Sequence, residues 1–435
     1  MRYIPLLLSI LLVPVGGLLA VWLPFWGGLL AGLAGVAAFI GLYDLFQTKR
    51  AVLKNYPLSA RLRFLFEHFR PEIRQYFLES DHDETPFSRE QRALVYRRSK
   101  GIEGLRPFGT LRNVNAVGHE WINHSMSPSH LGDIAFRHLI GGPDCAQPYD
   151  SSALNISGMS YGALSPTAIE ALNWGAKLGG FAHTTGEGSI SRFHRKHGGD
   201  LIWQIGSGYF GCRTANGAFD PEMFATNAAN DQVKMIEIKL SQGAKPGHGG
   251  ILPGAKVTEA IAEARGVRVG QDCISPAAHS EFSSPEGLCR FIARLRQLSG
   301  GKPVGLKLCV GHPWEVFAMV KAFHETGITP DFITIDGAEG GTGAAPVEFA
   351  DHKGAPIREG LMLVHNSLVG VGLRDRIRLI ASGKIISAFD MCRMFALGAD
   401  GCNIARGFMF AVGCIQAQVC HSGKCPTGVT SQDPG

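Results

Sequence analysis

The sequence predicts an α/β fold: a (β/α)8 TIM barrel, preceded by an N-terminal transmembrane segment and a helical extension. Three observations predict it. From residue 153 onward, short apolar runs alternate with helix-like stretches, the pattern of a parallel sheet crossed by helices. Eight such runs occur, and eight βα units close most economically into a barrel. Ahead of them, residues 3–43 contain no Asp, Glu, Lys, Arg or His, a run longer than the roughly 20 residues of one spanning helix.

Two spans fit that apolar run, Leu6 to Val21 and Phe25 to Leu42, with Leu23-Pro24 at the turn and Trp22 and Trp26 as interface anchors. This two-helix hairpin makes up the first domain, residues 1–48; one long span is the alternative. A cleaved signal peptide has a shorter apolar core of about 7–15 residues. Arg2 on one flank and Lys49, Arg50, Lys54, Arg61 and Arg63 on the other put both ends inside by the positive-inside rule. The expected location is the inner (cytoplasmic) membrane, with the catalytic domain facing the cytoplasm.

Residues 49–150 read as a basic helical extension. Between residues 49 and 112 stand 14 Lys plus Arg against 8 Asp plus Glu, an excess of six that accounts for the net charge of +5. Beside a membrane segment, anionic headgroups or a solvated helix face explain the excess more simply than nucleic acid does, and no nucleic-acid partner is expected. EHFRPEIRQYFLE has helical periodicity, and ETPFSREQRALVYRRS opens with a turn and continues as a helix.

The barrel domain, residues 151–413, is expected to contain strands at Ala153–Ser157, Phe181–Thr185, Leu201–Ile205, Met235–Leu240, Val304–Leu308, Phe332–Asp336, Ile377–Ala381 and Cys402–Ala405. The stretches that follow them are glycine-rich and polar. They read GMSYGALSP, TTGEGS, GSGYFG and SQGAKPGHGG after the first four, then DGAEGGTGAAP, SGK and RG after the last three. Barrels frequently bind phosphate through backbone N–H groups of the loops after strands 7 and 8. Gly340, Gly341, Thr342, Gly343, Ser382, Gly383, Gly407 and the backbone of Ala405 and Arg406 are the candidates. One glycine pair is weak evidence, but three such loops in register point to a phosphorylated cofactor.

Of ten cysteines, seven (Cys145, Cys212, Cys273, Cys289, Cys309, Cys392 and Cys402) are scattered in apolar surroundings, as small buried hydrophobes are. The other three form a motif. Cys414, Cys420 and Cys425 stand as Cys-x5-Cys-x4-Cys-Pro in the last segment, residues 414–435, straight after the final strand. Three is odd for disulfides, and zinc normally recruits a fourth ligand, for which His421 is the alternative. Three thiolates with one followed by proline fit an iron-sulfur cluster, of the three-iron [3Fe-4S] type for want of a fourth ligand. Beside such one-electron chemistry, the natural phosphorylated cofactor is FMN.

The strings GMSYGALS, TTGEGS, EIKLSQGAKPGHGGILPGAKVT, ISPAAH, GLKL, GAEGGTGAAP and GCIQAQVCHSGKCPTGVTSQDP resemble the central synthase domain of glutamate synthase. The resemblance runs in order and spacing from about residue 108 to the end, and in detail is greatest to the short membrane-anchored flavoproteins of that family. It implies an FMN-binding (β/α)8 barrel with a [3Fe-4S] cluster. It also implies reductive amination, in which ammonia and 2-oxoglutarate form 2-iminoglutarate, which takes a hydride from reduced FMN to become glutamate. By the same resemblance Met159, Ser160, Tyr161, Gly162 and Ala163 line the flavin, Gln204 and Ser207 face its rings, and Lys307 stands near N1. Lys245 and Arg265 match positions that hold the keto-acid carboxylates, and Glu187 matches an acid near the substrate. His248 is an acid or base candidate near pH 7.

Plainer readings stand beside these roles: a solvated loop lysine for Lys245, a helix-surface arginine for Arg265 and an exposed loop histidine for His248. Lys307 lies inside the apolar pattern VGLKL, where a lysine is costly unless paired. Departures from the family matter most for substrate. Its QGAKPGEGGQLPG reads QGAKPGHGGILPG here, so a glutamate becomes His248 and a glutamine that helps hold the keto acid becomes Ile251. The acid-rich continuation after GEG is Ser189-Ile190-Ser191.

The amidotransferase's N-terminal cysteine is missing from the Met-Arg start, so the expected nitrogen source is ammonia or an amine. Electrons are expected from a separate donor, ferredoxin or a reductase subunit, and relatives continue beyond the cluster. The leading reading is an oxidoreductase acting on a 2-oxo acid and ammonia or an amine. An N-alkylglutamate synthase, another membrane-linked flavin dehydrogenase and a non-catalytic redox subunit are the alternatives.

Overall fold

The computed structural model describes residues 2–48, 50–73, 78, 85–102, 104–105 and 107–433, in two compact units, Met1–Thr85 and Pro86–Gly435. Lys49 and residues 74–77 and 79 of the periodic stretch EHFRPEIRQYFLE lie outside the described residues.

In the first unit, α1 (Ile4–Leu19) and α2 (Pro24–Phe46) fold back on each other through the turn at residues 20–23. Small residues set the contact. A Cβ at Gly16 would lie 2.6 Å from the backbone nitrogen of Ala31, and one at Gly27 2.1 Å from that of Ala20, so the backbones approach closer than larger residues permit. With 23 residues and a mean hydropathy of 1.9, α2 is long and apolar enough to cross a membrane. The 16 residues of α1 rise about 24 Å, short of a hydrocarbon core of about 30 Å. At the end of α2 the buried Asp44 accepts from the Arg61 guanidinium at 2.7 Å and from the Leu58 N–H at 3.2 Å, tying the following helices to the hairpin.

The stretch expected as one basic helical extension, residues 49–150, divides instead. Helices Ala51–Asn55 and Ser59–Ile73 belong to the first unit, and helix Arg89–Ser99 to the second. That last helix starts at a capping box between Ser88 and Gln91. Residues 107–136 form neither helix nor strand, because Gly, Pro and Asn recur there and break periodicity. Glu120 anchors them through Arg358 and Arg393, at 2.6 and 2.7 Å.

The second unit is a closed, all-parallel barrel of β1 (Leu154–Ile156), β2 (His183–Thr184), β3 (Leu201–Ile205), β4 (Val233–Lys239), β5 (Val304–Leu308), β6 (Phe332–Asp336), β7 (Arg378–Ser382) and β8 (Gly401–Ile404). These are the eight runs read from the sequence, with some ends moved by one or two residues. An antiparallel hairpin that the sequence reading did not foresee, Arg137–Ile140 with Tyr149–Ser152, closes the N-terminal mouth. Its Ile140 and Tyr149 pack with Ala182, Ile202, Met235, Phe332 and Ile380 in one buried apolar cluster. At Gly305 a Cβ would lie 2.5 Å from the Phe332 ring, so only glycine leaves room for that ring inside the barrel.

Period two then makes the next inward residues polar: Gln204, Glu237, Thr334 and Ser382, followed by Lys239, Lys307 and Asp336. The barrel is apolar at its base and charged at its top. Outward residues of the strands, such as Trp203, Ile236, Leu306 and Ile333, pack in the core shared with the surrounding helices.

One outward pair is polar. His183 of β2 and His194 of helix Arg192–Arg195 are fully buried with ring centroids 5.2 Å apart, and neither His183 nitrogen has a partner. Burial pushes His183 down to about 3, and burial with the neighbouring His183 and Arg195 pushes His194 well down. Both rings are neutral in the folded state, whereas an unfolded histidine takes a proton near pH 6.5. Their contribution to stability is therefore present above pH 6.5 and lost as pH falls below it, by up to about 1.4 kcal/mol per unit for each ring. Urea midpoints measured from pH 7 to 5 should fall, and should fall less in His183→Asn.

Candidate active site

The loops at the C-terminal ends of the strands enclose a cavity of about 350 Å³, within the range of small-molecule sites. β4 ends in Lys239, whose Nζ stands 3.1 Å from Glu187 Oε2 in the loop after β2. Burial pushes Glu187 up, but Lys239, Arg265 and Lys245 together outweigh it and hold the carboxyl below its ordinary value. Burial, aided by Lys239, pushes Lys245 down. The site therefore combines an ionised carboxylate with a lysine that releases its proton more readily than usual.

Glycine makes this close approach possible: a Cβ at Gly206 would lie 2.8 Å from Glu187 Oε2, and one at Gly186, where φ is +69°, 2.5 Å from Ser160 N. Arg265 ends helix Glu259–Arg265 and is buried rather than on its surface. It donates to the Tyr161 carbonyl at 3.0 Å and lies over the Phe210 ring, while its Nε has no partner.

On the barrel side, Gln204 donates to Glu237 Oε1 at 2.6 Å and Thr334 to Glu237 Oε2 at 2.7 Å. Lys307 Nζ lies 3.7 Å from Asp336, which accepts from the Gly243 N–H at 2.8 Å. The buried lysine thus has the partner its strand position demands.

The cavity brings together Met159, Ser160, Gly162, Ala163, Glu187, Gln204, Lys245, Arg265, Lys307, Gly341, Thr342, Gly343, Ala405 and Arg406. Other expected site residues lie elsewhere. Tyr161 is buried against Phe193, Ser207 donates to the Pro276 carbonyl, and Ser382 lies inside the barrel 3.4 Å from Ser157. Gly340 is packed on Asp336, Gly383 beside Glu339, and Gly407 on Ile404. His248 is exposed, bonds the Gly249 carbonyl and sets its ring edge-on to Phe349. Next to it the backbone passes close to Ser275, whose carbonyl a Cβ at Gly249 would meet at 2.1 Å.

Sequence reasoning missed Lys239, Glu237, Gln242, Lys256 and Ser275. For Lys239 a signal existed: it stands two and four residues after Glu237 and Met235, on the inward face, by the same logic that singled out Lys307. The string GSGYFG after β3 fits GxGxxG, yet the next helix starts only at Pro221, so it caps no helix as a dinucleotide loop would.

The residues fit a flavin phosphate at the loop Gly341–Gly343. A Cβ at Gly341 would lie 2.4 Å from Arg406 Nε, and Arg406 donates to the Thr342 carbonyl at 2.5 Å, so a cation backs a glycine loop open to the cavity. At the C-terminal loop, burial and the neighbouring cysteines push the Cys414 thiol up, away from thiolate. Cys414, Cys420 and Cys425 are all free thiols, and those of Cys420 and Cys425 act on the Cys414 thiol. Burial pushes Cys425 up, but hydrogen bonds at Thr427 and Thr430 outweigh it and bring the thiol down to about 7. Tyr96 Oη donates to the Cys414 carbonyl at 2.7 Å. Among the described residues no three His, Cys, Asp or Glu side chains surround one metal-ion position, the tetrahedral set with His421 included.

Residues 148–435 match the conserved region in glutamate synthase. The glutamate synthase large subunit-like protein YerD of Bacillus subtilis (strain 168) is 40% identical over 438 residues, covering 91% of this chain and 83% of that protein. An archaeal-type glutamate synthase [NADPH] of Thermotoga neapolitana is 38% identical over 279 residues, 63% of this chain and 51% of that protein. The ferredoxin-dependent glutamate synthase 2 of Synechocystis sp. is 35% identical over 299 residues, 63% of this chain and 18% of that protein. The chain thus spans about half the length of the archaeal-type relative. With the match extending over the whole barrel and the cysteine loop, this chain belongs to the glutamate synthase family.

Proposed function

We propose that the chain is a membrane-anchored oxidoreductase of glutamate synthase type, holding FMN and a [3Fe-4S] cluster. It reductively aminates 2-oxoglutarate or a related 2-oxo acid with ammonia or an amine. The observation that carries this reading is the convergence of Lys239, Glu187, Lys245 and Arg265 on one cavity that Gln204 and Lys307 also line.

Arg265, with its free Nε–H, and Lys245 bind carboxylates of the keto acid by charge-assisted hydrogen bonds. Lys245, with its lowered pKa, gives its proton to the keto oxygen as the amine nitrogen replaces it and water leaves. Glu187, held ionised by Lys239, accepts the proton that the nitrogen sheds and passes it to the same oxygen, which with its two protons leaves as water while the nitrogen stays as the iminium. Gln204 and Lys307 hold the flavin rings against the substrate, and Gly341, Thr342, Gly343 and Arg406 hold the phosphate. Bound FMN supplies the hydride. Cys414, Cys420 and Cys425 would hold the cluster, which would supply one-electron transfer from a separate donor such as ferredoxin or a reductase subunit. Helix α2 supplies the anchor in the cytoplasmic membrane, with the barrel in the cytoplasm.

Ile251 lines the cavity beside Leu252, and this apolar wall favours a second substrate reading: an amine that carries a hydrocarbon group. One experiment tests both. Full-length protein with its flavin and iron intact is reduced chemically, then mixed with 2-oxoglutarate and either ammonium or methylammonium. Flavin reoxidation with 2-oxoglutarate and one of the amines is expected; if neither pair reoxidises it, the synthase reading fails and a non-catalytic redox subunit takes its place.

A further inference from the structure

Two strings read in the sequence, ISPAAH and GSGYFG, have no part in the proposed reaction, and in the fold they meet at the end of β4. His279, the last residue of the first string, is 7% exposed, and its Nε2 lies 2.8 Å from the Lys239 carbonyl. A carbonyl only accepts, so Nε2 carries the proton of the ring. Burial pushes the ring below its ordinary pKa, which keeps it neutral and leaves Nδ1 as an acceptor. Nδ1 lies 3.1 Å from Tyr209 Oη, which donates to it and accepts in turn from the Glu281 N–H at 3.3 Å.

Two rings clamp the imidazole. It stacks on Phe282 with centroids 5.1 Å apart and meets the Tyr209 ring edge-on at 5.4 Å. Tyr209 has a φ of +48°, a left-handed conformation that a bulky residue adopts only where its surroundings demand it. It ends the turn Gly206–Tyr209, which its own N–H closes on the Gly206 carbonyl at 3.0 Å. Gly206 is the glycine that lets Glu187 approach. One turn thus touches Glu187 at its start and the His279 ring at its end.

Lys239 is the residue that needs such a hold. β3 pairs with β4 as far as Ile238, one residue short of it, and only β5, through Lys307, continues the ladder to Lys239. The Lys239 ammonium stands 3.1 Å from Glu187, a separation at which small displacements change the attraction most.

We propose that His279 is a positioning residue: held by Tyr209, it fixes the end of β4 through the Lys239 carbonyl and so sets the Lys239 ammonium against Glu187. The inference rests on the reading of that pair as part of the active site. Arg265 and Lys245 also face Glu187 and stand on other segments, so loosening Lys239 weakens the hold on the carboxylate without abolishing it.

Full-length wild type, His279→Leu, His279→Gln and Tyr209→Phe are labelled competitively with trace acetic anhydride at neutral pH, and acetylation of each lysine is read by mass spectrometry. Lys239 lines the cavity and is reached through it, and labelling needs no flavin, iron or substrate. The exposed Lys321 is the reference, and the buried Lys302, which donates to the Ala228 and Asn230 carbonyls, reports general loosening. In His279→Leu, labelling of Lys239 relative to Lys321 should rise about fivefold, the factor that one hydrogen bond is worth in an equilibrium, with Lys302 unchanged. Tyr209→Phe should raise it about twofold, and His279→Gln, whose amide can donate to the same carbonyl, should restore the wild-type ratio. An unchanged Lys239 ratio in His279→Leu overturns the proposal, as does the same rise in His279→Gln. An equal rise at Lys302 also overturns it, in favour of packing alone. If His279→Leu does not fold, Tyr209→Phe decides by the same two lysines. Wild-type protein whose flavin no amine and keto acid reoxidise strikes the synthase reading, a result separate from these ratios.

Discussion

Replacing Lys239 with methionine should lower kcat/KM for the keto acid by roughly 100- to 1,000-fold, the usual loss when one preorganised charge leaves an active site. The side chain reaches Glu187 at 3.1 Å and lines the cavity, but its strand is otherwise unchanged by methionine. The sign of the pH effect follows from the forces on Glu187. Burial raises its pKa, and Lys239 is the first of the cations that reverse this. Without Lys239 the carboxyl therefore rises, so the acid limb of the pH–rate profile should move to higher pH, while FMN content stays that of wild type. Lys239→Arg, which keeps the charge, should restore the wild-type limb. A profile that does not move in Lys239→Met would show that Glu187 is not the group the limb reports.

Asp331→Ala should be the most damaging substitution remote from the cavity. Asp331 lies just before β6 and is 3% exposed, and its Oδ2 accepts from Arg296 at 2.9 Å and from the Val304 N–H at 2.8 Å. Its Oδ1 accepts from the Gly142 N–H at 2.8 Å, so one carboxylate joins helix Pro285–Leu298, β5, β6 and the loop of the hairpin that closes the barrel base. Among the described residues, removing it leaves the Arg296 guanidinium, 8% exposed, with only the Thr329 carbonyl. Breaking such a buried pair costs about 3–5 kcal/mol, for a fall in melting temperature of roughly 5–10 °C. Calorimetry of the variant checks this. Asp331→Asn, which keeps acceptor oxygen but not charge, should lose less, and equal loss in both would locate the effect in packing alone.

Both residues escaped the sequence reading, whereas the strands did not. The eight barrel strands were legible because each is a local apolar run of five or so residues, and a parallel strand buried on both faces carries that signal by itself. The hairpin at the barrel base was not legible: RHLI and YDSS are short, mixed in polarity and separated by eight residues without a two-residue turn signal. His248 shows the opposite failure. Its loop is glycine-rich and follows a strand, which marks it as a site candidate, yet its exposed ring packs edge-on to Phe349 and bonds the Gly249 carbonyl.

The sequence by itself determined the barrel, the glycine loops at its C-terminal end and the Cys-x5-Cys-x4-Cys spacing, because each is written in neighbouring residues. It also marked Lys307, a lysine inside the apolar run VGLKL that is costly unless paired, whereas Gln204 came from the family resemblance. Tertiary structure alone decided that Glu187 meets Lys239 across two strands, that Arg265 is buried with a donor to spare, and that Lys256 bonds a cysteine 164 residues away. The physical reason is the range of the forces. Hydrophobic periodicity is set along the chain, whereas an ion pair or a displaced pKa depends on distances of a few ångströms between segments that only the closed barrel brings together.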